Sequence, residues 1–181
     1  MAADLDVNSL WPETVGLAEA QRAAIRRKLS ADEPTRVRIA KALGLDALIS
    51  LDCDLEVRPW LDGVEVDGGW TATVTQTCGV TLEPFDSRLS GRIHVRALPQ
   101  GSAALGQTDQ HEFDPDPEAD DPPDALANDR IGLGAYVVED LSLAIDPFPR
   151  KPGVEFEQPD QGDEPSPFAV LAKLKGNNPD A

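Results

Sequence analysis

The run Thr71-Ala-Thr-Val-Thr-Gln-Thr-Cys-Gly-Val-Thr-Leu-Glu-Pro-Phe85 constrains the fold more than any other part of the chain. Ala72, Val74, Cys78, Val80 and Leu82 alternate with Thr71, Thr73, Thr75, Thr77 and Thr81, which is the period of a strand with one buried face. Only Gln76 interrupts the inward row. Threonine is β-branched and suits a pleated, half-solvated surface, so propensity agrees with pattern. The expectation is a central strand running through this stretch.

Similar runs flank it. From Leu48 to Val57, the residues Ile49, Leu51, Cys53, Leu55 and Val57 alternate with Ser50, Asp52, Asp54 and Glu56, one row for a core and one for water. Asp62-Gly63 is a hairpin signal, and Val64, Val66 and Trp70 lead from it into the central strand. After a turn at 83–87, Leu89, Gly91, Ile93, Val95 and Ala97 alternate with Arg88, Ser90, Arg92, His94 and Arg96. The product is an antiparallel β-meander or a small, partly open β-barrel. Its exposed faces are acidic on the first strand, neutral on the second and basic on the third, a pattern that cross-strand charge matching accounts for.

Helices punctuate these strands. Ser30-Ala-Asp-Glu33 reads as a capping box, Val37, Ala40 and Leu43 follow at helical spacing, and Gly44 stands where the helix should end, so a helix is expected over 31–43. Val137, Val138, Leu141, Ala144 and Ile145 predict a second helix over 135–145, stopped by Pro147 and preceded by a short strand over 131–133 that returns to the sheet. Residues 22–29 read two ways. Propensity favours helix, while Ala23, Ile25 and Leu29 alternate as in a strand, the reading preferred here. The fold class is α+β, with two or three packed helices. Its parts are an irregular arm over 1–21 that pins Trp11 to the domain, a β-rich core with one helix over 22–98, a disordered acidic loop over 99–128, a strand and core helix over 129–152, and an acidic tail with a short closing helix over 153–181.

Charge narrows the function. With 181 residues and a formal net charge of −17, the chain repels a polyanion at long range and attracts a basic protein. No apolar run approaches the ~20 residues that span a bilayer, and no basic, apolar segment opens the chain, so a soluble cytoplasmic protein is expected. Prolines and acids through Glu112-Phe-Asp-Pro-Asp-Pro-Glu-Ala-Asp-Asp-Pro-Pro-Asp124 leave too little apolar surface to repay ordering. Asp114, Asp116, Glu118, Asp120 and Asp121 are the candidate contacts to a basic partner, joined by Phe168 and Leu171 of the closing helix, which could dock back on the domain or bind in trans. Arg88, Arg92 and Arg96, with the cluster Arg22, Arg26, Arg27 and Lys28, are the alternative RNA contacts; a solvated face is the simpler account of both.

The segment Val-Thr-Gln-Thr-Cys78-Gly-Val-Thr-Leu-Glu-Pro-Phe85 resembles the Cys-centred "C…LEP" segment of the YceD family, the bacterial large ribosomal RNA subunit accumulation proteins. Ile131-Gly-Leu-Gly-Ala-Tyr-Val-Val-Glu-Asp-Leu-Ser-Leu-Ala-Ile-Asp-Pro147 is similar to that family's helix, and Pro167-Phe-Ala-Val-Leu-Ala-Lys-Leu-Lys175 to its closing tail, in the same order. The matching core residues are Cys78, Leu82, Glu83 and Pro84. Many members carry Cys-x-x-Cys at this segment, whereas here the second position is Thr81. The resemblance implies a factor supporting accumulation of 23S ribosomal RNA, and the acidic charge adds the expectation that its partner is a basic ribosomal protein or a pre-ribosomal particle.

Catalytic signatures are missing from the sequence: there is no Gly-rich phosphate loop, Gly-x-Ser-x-Gly elbow or His-Glu-x-x-His. Cys53 and Cys78 lie far apart, and neither His94 nor His111 stands at ligand spacing to them, so no zinc set forms and both cysteines are expected to be buried thiols. A non-enzymatic protein without cofactor is the expectation.

Overall fold

The computed structural model describes residues 7–105, 121–126 and 128–155, and it is α+β. In chain order the elements are α1 (Val7–Leu10), β1 (Thr14–Gly16), α2 (Leu17–Ala20), β2 (Ile25–Ser30), α3 (Glu33–Leu43), β3 (Ala47–Trp60), β4 (Gly63–Thr77), β5 (Pro84–Pro99), β6 (Asp124–Leu126), β7 (Arg130–Gly132) and α4 (Leu133–Ala144). Strands β2-β3-β4-β5-β6 form one sheet in that spatial order, antiparallel except for β5–β6, and the sheet does not close into a barrel. The strand expected to be central is central.

The alternation works as a burial code. Leu51, Leu55 and Val57 from β3, Val64, Val66, Trp70 and Val74 from β4, and Ile93 and Ala97 from β5 are all buried on one face. There α3 packs on β3 through Ile39 and Ala40, and α4 packs on β5 through Val137, Val138 and Leu141. Each large side chain so buried contributes about 1.5–3 kcal/mol. Trp70 reaches across this layer, its indole Nε1–H donating to Asp140 Oδ2 at 2.6 Å. Gly91 makes the approach possible, since a Cβ there would lie 2.2 Å from Asp140 Oδ2 and 2.7 Å from Trp70 Nε1.

Several expectations are corrected. β4 ends at Thr77 instead of running through Leu82, so Val80 is half-buried and Leu82 is 76% exposed. The reason is local: the Cys78 N–H donates to Glu83 O and the Leu82 N–H to Cys78 O, which turns the chain. In β3 a bulge between Leu48 and Ser50 shifts the register, which buries Leu48 and exposes Ile49. The β3–β4 hairpin closes on Trp60 and Gly63, so its loop is Leu61-Asp62, one residue earlier than the Asp-Gly signal, with Leu61 at φ 50°. The cap of α3 is Asp32, whose Oδ1 accepts from Thr35 N–H at 3.0 Å, not Ser30. That start rotates the buried face to Thr35, Ile39 and Ala40 and leaves Val37 exposed. Gly44 closes the helix in the left-handed region, as read from the sequence.

The ambiguous segment is a strand from Ile25, paired with β3. The arm is not irregular throughout: β1 pairs with β7 in a separate two-stranded sheet, so the strand expected to return to the main sheet joins the arm instead. Trp11, Val15, Leu17 and Ala20 enter the common core. The last residues of the acidic insertion also form structure, as β6 runs parallel to β5 with Asp124 opposite Ala97.

Candidate functional site

The turn after β4 carries the residues that single this chain out. Because the chain reverses between Cys78 and Glu83, three backbone N–H groups converge on one sulfur: Cys78 Sγ accepts from Val80 at 3.4 Å, Thr81 at 3.5 Å and Lys151 at 3.4 Å. The Lys151 amide first, then the Thr81 side chain and amide, lower the Cys78 thiol to about 6, with a smaller part from Val80. Gly79 N–H donates to Pro149 O, and Lys151 Nζ pairs with Glu83 Oε2 at 3.1 Å. Leu82 holds φ 59°, unusual for a branched residue, to complete the reversal. Pro84 opens β5 opposite Thr77. Cys78, Gly79 and Glu83 therefore make a clasp that grips the chain where it leaves α4, while Leu82 and Pro84 shape the turn that carries them. Thr81, in the place of a second cysteine, donates its amide to Cys78 Sγ and accepts the Glu83 N–H on its hydroxyl at 3.4 Å. The turn holds its shape through these bonds without a second thiol.

Cys53 sits differently, on the inner face between Leu29 and Trp70, and burial pushes its thiol up to about 11. Both thiols are free and buried, and among the described residues no group of three or more His, Cys, Asp or Glu could hold a metal ion.

The outer face of the sheet carries charge in rows. Arg26 on β2 grips Asp54 on β3 with two 2.7 Å bonds, and this holds the Asp54 carboxyl below its ordinary range; Lys28 approaches it at 3.7 Å. On β4 the outer row is not uniformly threonine. Glu65 and Asp67 occupy its first half, opposite Arg96 and His94. Arg92 pairs with Asp67 at 3.2 Å, Arg96 with Glu65 at 3.2 Å while stacking 5.2 Å over Trp60, and Arg58 with Glu65 at 3.0 Å. His94 Nδ1 lies 3.4 Å from Asp67 Oδ2. Glu56 and Asp67, like charges directly opposite, are tolerated amid these cations. The expected RNA-contact row is thus largely neutralised by its own neighbours: of Arg88, Arg92 and Arg96, only Arg88, opposite Thr73, lacks an ion pair among the described residues. The second basic cluster is divided, since Arg27 turns inward to Glu19 at 3.2 Å while Arg26 and Lys28 face out. Asp52 and Glu56 are exposed carboxylates without an ion pair within 4.0 Å among the described residues, although Glu56 lies near enough to Arg26 to interact with its charge.

Of the candidate partner contacts, Asp121 is exposed just before β6. Asp114, Asp116, Glu118, Asp120, Phe168, Leu171 and His111 lie outside the described residues. The sequence reading missed a polar cleft of about 690 Å³ between β6, β7 and α4, where Asp124, Tyr136, Glu139 and Arg130 gather. Burial and then the charge of Asp124 raise the Glu139 carboxyl, and the same two causes raise the Tyr136 phenol. Parallel pairing of β6 brings Asp124 there from the end of the acidic insertion, a placement that periodicity does not announce.

Among curated proteins and among solved structures, nothing matches this chain. Residues 66–175, more than half of its length, match a family model. That span runs from β4 through the Cys78 clasp and α4 to Lys175, taking in all three segments of the resemblance. The chain belongs to the family described as Large ribosomal RNA subunit accumulation protein YceD.

Proposed function

We propose that this chain supports accumulation of large-subunit ribosomal RNA as a non-enzymatic cytoplasmic assembly factor, and that it does so by holding a basic ribosomal protein on its acidic surface until RNA takes that protein over. The family name implies the role in large-subunit ribosomal RNA accumulation; the choice of a protein ligand is ours. One observation carries that choice: two of the three β5 arginines are already engaged, Arg92 by Asp67 and Arg96 by Glu65, in a chain of net charge −17. A polyanion approaching this face meets ion pairs and a repulsive field. A cationic protein meets Asp52, Glu56 and the acids of 112–124, which can exchange their counterions for its lysines and arginines. No helix of the described residues is long and apolar enough to cross a membrane.

Two measurements test the proposal. Cells depleted of the protein should show a lower ratio of large- to small-subunit ribosomal RNA, restored by the wild-type chain; an unchanged ratio removes the biological role. In vitro, purified basic proteins of the large subunit should bind the chain at low salt and lose affinity as exposed charges are screened, over a Debye length of about 8–10 Å near physiological salt. Asp52→Asn with Glu56→Gln should weaken that binding. RNA binding at low salt that drops further with Arg88→Ala would move the function to the basic strand instead.

A further inference from the structure

A recess of about 300 Å³ opens at the end of the molecule where α3 stops and α4 runs out. Leu43, Leu45 and Ile145, all half-buried, form its walls with Pro147 and Pro149. Phe148, held between those prolines, is 80% exposed, and Leu82, on the loop that bonds Pro149 O through Gly79, is 76% exposed. These exposed apolar side chains stand beside a recess whose lining mixes Leu43, Leu45, Ile145 and two prolines with Gln76, Thr77 and two carboxylates, an amphipathic surface suited to an amphipathic segment. Asp46 and Asp146 also line it; they accept from Thr77 Oγ1 and Phe148 N–H, and among the described residues no cation neutralises them.

The chain itself leaves from this place. Lys151 is bound to Cys78 Sγ, Val154 N–H returns to Lys151 O, and Glu155 is the last residue described. Beyond it, residues 156–165 are acidic and proline-containing, and Pro167-Phe-Ala-Val-Leu-Ala-Lys-Leu-Lys175 follows. In that segment Phe168, Leu171 and Leu174 recur every third residue, and Lys173 and Lys175 are the only cations after Lys151. The family match ends at Lys175, so it includes this segment and stops where the segment's pattern stops.

We propose that residues 166–175 dock back onto this recess of the same chain. Phe168, Leu171 and Leu174 cover Phe148 and the Leu43, Leu45 and Ile145 walls, and Lys173 and Lys175 meet Asp46 and Asp146. Both halves of the match are complementary, apolar to apolar and basic to acidic. The ten residues of 156–165 span up to about 33–36 Å when extended, ample for a return to the recess beside which the chain exits. Such a tether holds the segment at a local concentration in the millimolar range, so a weak contact suffices. This docking goes beyond the proposed function and stands whether or not the acidic face holds a basic protein.

Hydrogen exchange on the full chain, followed by mass spectrometry, tests it. Amides of 168–175 should be protected about tenfold or more over unstructured rates. Phe148→Asp should abolish that protection while β3 and β4 exchange as in the wild type, and Leu171→Asp should do the same from the other side. A photo-crosslinker at position 168 should join residues 43–45 or 145–149 within one chain. Unprotected 168–175 amides in the wild type, protection that survives Phe148→Asp, or crosslinks that run between two chains would each overturn the proposal.

Discussion

Cys53 and Cys78 are both buried free thiols, yet their surroundings push them in opposite directions. Around Cys53 the middle of β3 offers Leu29, Trp70 and a dry core, and the thiol is pushed up to about 11. Around Cys78 the turn offers three backbone N–H donors, and the thiol falls to about 6. Burial raises the Cys53 thiol, whereas at Cys78 the donors pointed at the sulfur outweigh burial. One cysteine fills space as a small hydrophobe. The other is the hydrogen-bond acceptor at the hub of a clasp that ties the end of β4 to the exit of α4.

The comparison can be tested from either side, and the largest effect is expected in the dry region. Leu55→Ala, fully buried beside Cys53 on β3, should lower stability by about 2–5 kcal/mol in urea unfolding. A loss below about 1 kcal/mol would show that the Cys53 wall is loosely packed. Gly91→Ala forces a methyl onto the Trp70–Asp140 hydrogen bond and should cost about 1–3 kcal/mol, with a change in tryptophan fluorescence as Trp70 shifts.

The thiols themselves supply the next test. Thiolate absorbance should rise with a midpoint at about 6 for Cys78 and about 11 for Cys53, assigned with single Cys→Ser variants. Because the folded value of Cys78 lies below the ordinary 9.0, deprotonation favours the folded state. Stability should therefore rise with pH between about 6 and 9 and lose this contribution as pH falls through 6; Cys78→Ala should flatten that rise. In the same variant the amides of Val80, Thr81 and Lys151 should exchange faster, whereas Cys53→Ala should leave them unchanged. The smallest effect is on the outer face: Arg92→Ala breaks an exposed pair with Asp67 and should change stability by less than about 1 kcal/mol.

Much of the fold was legible because alternation encodes burial directly. The central position of β4, the inward rows of β3 and β5, the αL stop at Gly44 and the burial of Trp11 all follow from side-chain chemistry within a few residues. Errors fell where the backbone departs from a simple period. A one-residue bulge reversed Leu48 and Ile49, a cap two residues late turned Val37 outward, and hydrogen bonds across the turn ended β4 before Val80 and Leu82 could face the core. Of the candidate site, the resemblance pointed to Cys78, Leu82, Glu83 and Pro84, but it did not disclose that Cys78 and Glu83, with Gly79 between them, grip residues 149–151, more than sixty positions away in the chain. Cross-strand charge matching was anticipated in kind, yet Glu65 and Asp67 as the acids that engage the β5 cations emerged only from register.

The sequence by itself determined which faces are dry, the acidic balance and the family, because each is written in residue identities over short windows or in an ordered set of such windows. Tertiary structure alone decided the lowered thiol of Cys78, the neutralised basic strand, the pairing of β7 with the arm and the parallel return of β6. Each of those depends on groups distant in sequence meeting at hydrogen-bonding or ion-pairing distance, and such meetings are fixed by packing and register rather than by local pattern.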